Sequence, residues 1–235
     1  MENNENSTLF EQAVKHLENK EYTLAIVSFT EALQKGYYDS KLHYYLALCY
    51  SNMKYYKEAL EEIDLAFKED LEFAVKLQLL QLKGYIYFIL EENETALAVF
   101  TEAAEFDENN KIILSGIAYY YFKNKDYKKA LDYYEKAYNT APESPSAMNN
   151  YGYLMMMNNE SLAKAVELCK TALKKQPDNP NIIDSIAWGN YLLDNIKAAA
   201  LAITKAFKIG AHIEDIKTHY SEIAGKVRTL ISKEK

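Results

Sequence analysis

Four histidines, two cysteines and several adjacent carboxylates are the residues of this chain that could carry metal, redox or acid–base chemistry. His212 and His219 stand seven residues apart with no cysteine near them, so they lack the company of a zinc site. Cys49 and Cys169 are 120 residues apart and both fall within helical patterns, which gives no disulfide framework. Cys169 takes a core position and reads as a buried small hydrophobe. Acid pairs such as Glu61-Glu62 and Glu91-Glu92 fall at solvated helix ends or turns, whereas paired acids catalyse only across a cleft that separates their pKa values. No HExxH, CxxC, Gly-rich phosphate loop or GxSxG occurs. The expectation is a protein that is not an enzyme, with no catalytic residue, no metal site and no cofactor.

The bulk composition points the same way. A net charge of −7 and a pI near 5.3 disfavour nucleic acid, whose phosphates need clustered Lys and Arg. No apolar run reaches the roughly 18 residues of a membrane span. Residues 1–5 are acidic and Asn-rich, read as a disordered N-terminus, and Met1 to Ser7 lack the basic and apolar regions of a signal peptide. The expected location is therefore cytoplasmic. With only 7 Gly and 4 Pro, the chain must be mostly helix joined by tight turns.

The elements that would position any site are announced by a ladder of alanines. The pairs Ala25/Ala32, Ala59/Ala66, Ala96/Ala103, Ala130/Ala137, Ala165/Ala172 and Ala199/Ala206 are each seven residues apart, and their first members are spaced by 34, 37, 34, 35 and 34. Seven residues is about two helical turns, so each pair occupies one stripe and lets a neighbouring helix approach closely. A small residue precedes each leading alanine by 12 or 13 positions: Ala13, Ala47, Gly84, Ala118, Gly152 and Ala187. Turn signals such as Asn19-Lys20-Glu21 and Asn124-Lys125-Asp126 separate the two helices of a unit. A period in this range marks stacked helical repeats.

The segment from Lys111 to Ser144 shows the unit best, with Ala118, Tyr121, Tyr127, Ala130, Tyr134, Ala137 and Pro142. In these positions the chain resembles the tetratricopeptide repeat (TPR) family, whose unit is two helices in 34 residues. The early Trp of that family is replaced throughout, and its closing Pro survives only as Pro142 and Pro177. The resemblance implies an all-α fold, a right-handed α-solenoid superhelix of antiparallel helix pairs. Six repeats are expected over residues 6–211 (approximately 6–39, 40–73, 74–110, 111–144, 145–179 and 180–211), with a C-terminal capping helix over 212–235. The three extra residues between the second and third repeats predict a lengthened helix around Lys68 to Lys76. The one extra residue of the fifth belongs in its turn near Asn158 to Ser161. His16 and His43 take core positions that the family usually fills with aromatics, and read as packing residues.

The resemblance also indicates which first-helix positions face a concave wall. They carry Tyr44, Tyr45, Tyr85, Tyr119, Asn149, Asn150, Asp184, Ser185, Tyr153 and Trp188. Large rings with polar tips are common interface anchors, and Asn offers a donor and an acceptor to an extended backbone. The residues expected to bind a peptide or protein partner are Tyr44, Tyr45, Tyr85, Tyr119, Asn149, Asn150, Tyr153 and Trp188. The alternative for any one ring is filling a seam between repeats. The Lys/Asn/Arg clamp with which some family members hold a terminal carboxylate is not reproduced. The implied function is a protein–protein interaction scaffold with no nucleic-acid or membrane partner. Ile213, Ile216, Tyr220, Ile223, Val227 and Leu230 make one apolar stripe, which suits a cap on the last repeat. It also suits a homodimer seam. Self-assembly through that helix, and an accessory role in an enzyme or assembly complex, stay open as alternatives.

Overall fold

The computed structural model describes residues 2–37, 39 and 41–233, with side chains from Thr8 to Ser232. It contains α1 (Glu2–Glu18), α2 (Tyr22–Gln34), α3 (Leu42–Asn52), α4 (Tyr56–Ala66), α5 (Phe73–Ile89), α6 (Asn93–Phe106), α7 (Lys111–Lys123), α8 (Tyr127–Thr140), α9 (Pro145–Met157), α10 (Leu162–Lys175), α11 (Pro180–Leu192), α12 (Ile196–Gly210) and α13 (Glu214–Lys233). No strand is found among the described residues. The expected architecture of antiparallel helix pairs is what the structure shows. Met1 lies outside the described residues. The remainder of the stretch read as disordered, residues 2–5, begins α1.

All twelve residues of the alanine ladder are fully buried, and so are Ala13, Ala47, Ala118 and Ala187. The residue four places after each leading alanine, from Phe29 to Ile203, is buried as well. Each pair turns through a residue in the left-handed region: Lys20, Lys54, Glu91, Lys125, Asn159 and Asp194, with φ between 55° and 66°. The next N–H then bonds back to the first helix, as Asp126 N does to the Tyr121 carbonyl at 2.9 Å. That closure satisfies carbonyls which the end of a helix would otherwise leave unpaired. The extra residue of the fifth repeat lies in its turn, where Ser161 is a second left-handed residue at φ 44°.

The expected helix across Lys68 to Lys76 is only half realised. The chain leaves helical geometry after Ala66 and resumes it at Phe73, so residues 67–72 form a connection. The added length goes into α5, which has 17 residues against 11 in α3 and 13 in α7. The charges give the reason. Glu69 and Asp70 would be repelled by the negative C-terminal end of α4, whereas Glu72 is favourable at the start of α5.

The chain forms two compact units, Met1–Glu108 and Asn109–Lys235. In the first, α1–α5 enclose two clusters, one around Phe29 and Leu46, the other around Ile63 and Leu79. In the second, one cluster centres on Tyr134, Met155 and Ile182, and another on Ile203, Ile216 and Ile223. Ile216 and Ile223 belong to α13, so the first half of its apolar stripe covers α11 and α12.

Candidate functional site

In the second unit, α9 and α11 start alike, with Pro at the first turn, where a missing N–H costs nothing. The Asn179 side chain accepts from the Asn181 and Ile182 N–H groups and fixes the start of α11. The two helices therefore present equivalent positions on one side: Asn149, Asn150 and Tyr153 from α9, then Asp184, Ser185 and Trp188 from α11. Tyr119 and Phe122 of α7 continue this face, and α13 adds Asp215 and His219.

All of these but Trp188 wall a cavity of about 360 Å³. Tyr119, Asn149, Asn150 and Tyr153 all line it. Its aromatic side is connected: Phe122 meets Tyr119 at 6.3 Å and Tyr153 edge-on at 6.1 Å between ring centroids. On the polar side, Asp184 Oδ2 lies 2.8 Å from His219 Nδ1. As a carboxylate Asp184 can only accept, so Nδ1 carries the proton. Asp184 is 5% exposed, and Asn149 and His219 are each 8% exposed. Oδ1 of Asp184 and Oδ1 of Asn149 have no hydrogen-bond partner among the described residues. Burial, and after it the charges of Asp215 and Asp184, push the Tyr153 phenol well above its ordinary value. The cavity is thus walled by aromatic rings, amides and carboxylates, and two of its lining side chains each carry a covered oxygen without a partner among the described residues.

The other expected contact residues lie elsewhere. The Trp188 ring stacks on His219, with centroids 4.4 Å apart, and its Nε1 is buried without a partner among the described residues. In the first unit, Tyr45 stacks on Phe29 at 5.6 Å, so it fills a seam between helices. Tyr44 is half-buried beside Tyr45 at 5.4 Å. Tyr85 stands 57% exposed.

The histidines do more than pack. His43 Nδ1 is 2.7 Å from Glu62, and its Nε2 is 3.7 Å from Glu69. His16 Nδ1 is 2.6 Å from Glu21. Both cysteines are free and buried, and burial pushes their thiols up to about 12. Among the described residues, no three His, Cys, Asp or Glu converge as a metal site would require. No helix there is long and apolar enough to cross a membrane.

Two sequence models of the tetratricopeptide repeat match the chain, over residues 82–145 and 121–187. Residues 82–187 are tetratricopeptide repeats. A TPR repeat-containing protein of Methanocaldococcus jannaschii is 25% identical over 92% of this chain, which spans 39% of that relative's length. Among solved structures, the APC/C hetero-tetramer Cut9-Hcn1 superposes with a TM-score of 0.79 at 11% identity, covering 93% of this chain and 42% of that one. The Pseudomonas aeruginosa PilF structure gives 0.74 at 15% identity over 96% and 99% of the two chains. At such identities the likeness is one of fold. TPR stacks are scaffolds for protein interaction, because their repeats build extended binding surfaces.

Proposed function

We propose that this protein is a non-catalytic interaction scaffold that takes a segment of a partner protein on the α7/α9/α11 face of its second unit. One observation carries the reading: Tyr119, Asn149, Asn150 and Tyr153, from two helices, converge on a single cavity. Rings give contact area at little rotamer cost, and amides can pair with an extended backbone. Trp188, stacked on His219, supports this face. Recovery of partners from lysate should fall sharply for a Tyr119→Ala/Asn150→Ala double variant whose thermal melt matches the parent. Equal recovery of the same partners would remove this assignment.

A second reading, self-assembly through α13, retains only the far end of the stripe. There Leu230 and Ile231 are 40% and 53% exposed beside Leu201 of α12. Light scattering across a concentration range separates the two, because self-assembly requires a mass that rises with concentration.

A further inference from the structure

The cavity of the second unit has acceptors in its wall that no donor among the described residues satisfies. A buried acceptor left unpaired costs on the order of 1–3 kcal/mol, and more when it is charged. Here two such oxygens, Asp184 Oδ1 and Asn149 Oδ1, belong to side chains that line the same cavity and are more than nine-tenths buried. Asp215, from the first turn of α13, adds a second carboxylate. No lysine or arginine lines the cavity, and its only basic group, His219, is already committed to Asp184 Oδ2. Much of the remaining wall is the rings of Tyr119, Phe122 and Tyr153, beside the neutral Asn150, Asn181 and Ser185. A matching group must therefore be small, rich in donors, positively charged, and carried on an apolar stem.

Resting on the interaction-scaffold reading above, we infer that the cavity receives the side-chain ammonium of a lysine from the bound partner segment. The ammonium meets the Asp215 carboxylate of the same wall, and its other protons match the oxygens of Asp184 and Asn149, which are covered and come into reach when those side chains turn towards the cavity. The four-carbon stem lies along the aromatic wall, where a cation is also attracted to ring faces. Arginine fits less well. Its planar fork is strongest when it meets both oxygens of one carboxylate, and the second oxygen of Asp184 is occupied by His219.

Blocked pentapeptides Ac-Ser-Ala-Xaa-Ala-Ser-NH2, with Lys, Arg, norleucine or Glu at the centre, test this against the full-length protein. Side-chain amide shifts of Asn149 and Asn150 and the fluorescence of Trp188, the only tryptophan, report occupancy. The Lys peptide should bind about tenfold or more tighter than the norleucine and Glu peptides, since bonds to charged groups are worth that much. Arg should fall between. Asp184→Asn should abolish the preference for Lys over norleucine. Because that change also disturbs His219, Asp215→Asn, at an exposed position, serves as the second variant and should weaken Lys binding several-fold with helicity unchanged. The proposal is overturned if no peptide shifts these signals at roughly millimolar concentration. It is equally overturned if Lys and norleucine bind alike, or if neither variant affects the Lys peptide. The two readings fail separately. A lysine preference that persists while the Tyr119→Ala/Asn150→Ala variant keeps its partners sinks only the scaffold face. Lost partners without any lysine preference sink only the lysine site.

Discussion

His43 shows how a single residue converts a core position into a titrating one. Its side chain is 11% exposed, and Glu62 and Glu69 face its two ring nitrogens. The hydrogen bond to Glu62 raises its pKa above the ordinary 6.5, burial opposes it, and the charges of Glu62 and Glu69 add to the rise. The folded protein thus holds this proton more tightly than the unfolded chain. The resulting stabilisation is complete below about 6.5 and is lost as pH rises through the raised value. In an NMR titration the His43 ring should change charge above pH 6.5, and Glu62→Gln should move the midpoint downward. An unchanged midpoint in Glu62→Gln would contradict the assignment. The register alone places His43 in the core but is silent on its partners. Glu62 comes from α4, and Glu69 from the connection that follows it.

At the scale of the helix pair, the small residue of each first helix sets how closely the second can lie. A Cβ at Gly152 would come within 2.8 Å of Cys169 Sγ and 3.0 Å of the Ala165 carbonyl oxygen, both on α10. Alanine gains about 1 kcal/mol of helix propensity over glycine, while overpacking costs about 1–3 kcal/mol. A backbone carbonyl cannot swing aside, so the cost should win. Gly152→Ala is expected to destabilise by about 1–2 kcal/mol in urea unfolding. Gly225 of α13 has nothing within 4 Å of an added Cβ, and Gly225→Ala should stabilise by up to about 1 kcal/mol. The same sign for both would mean that the first-helix glycines are not there for close approach. This close-packing register is the part of the fold most legible in sequence, because backbone proximity restricts the position to Ala or Gly whatever surrounds it. The face bearing Tyr119, Asn149, Asn150 and Tyr153 follows from the same register. What it hid is the role of α13. Ser115, Asn149, Asp184 and His219 are spaced by 34, 35 and 35, so His219 continues the inward column by one step. That step is obscured because α13 lacks an alanine pair and advertises only its apolar stripe.

For the whole chain, the repeat period gives no hint that the molecule divides. The interval from Ala96 to Ala130 is an ordinary 34, although the boundary between the compact units falls between them, at 108/109. A period records the register inside each pair, whereas a unit is defined by which side chains share a core. The clusters around Tyr134 and around Ile203 are built wholly from residues after 109, and α13 closes the latter. Every residue lining the lysine cavity also lies in that unit. Repeat arrays draw their stability from each repeat and its neighbouring interfaces, so a run of three pairs with a terminal cap is enough to fold. A fragment of residues 109–235 should therefore be helical by circular dichroism and unfold cooperatively in urea. Its m-value should be smaller than that of the full chain, in proportion to the surface it exposes. Removing α13 as well, by ending the fragment at 211, should uncover Ile203 and destroy the Asp184–His219 pair, leaving a broad transition. A cooperative 109–211 fragment would show that α13 is not needed as a cap. A 109–235 fragment without a transition would show that the second unit depends on the first.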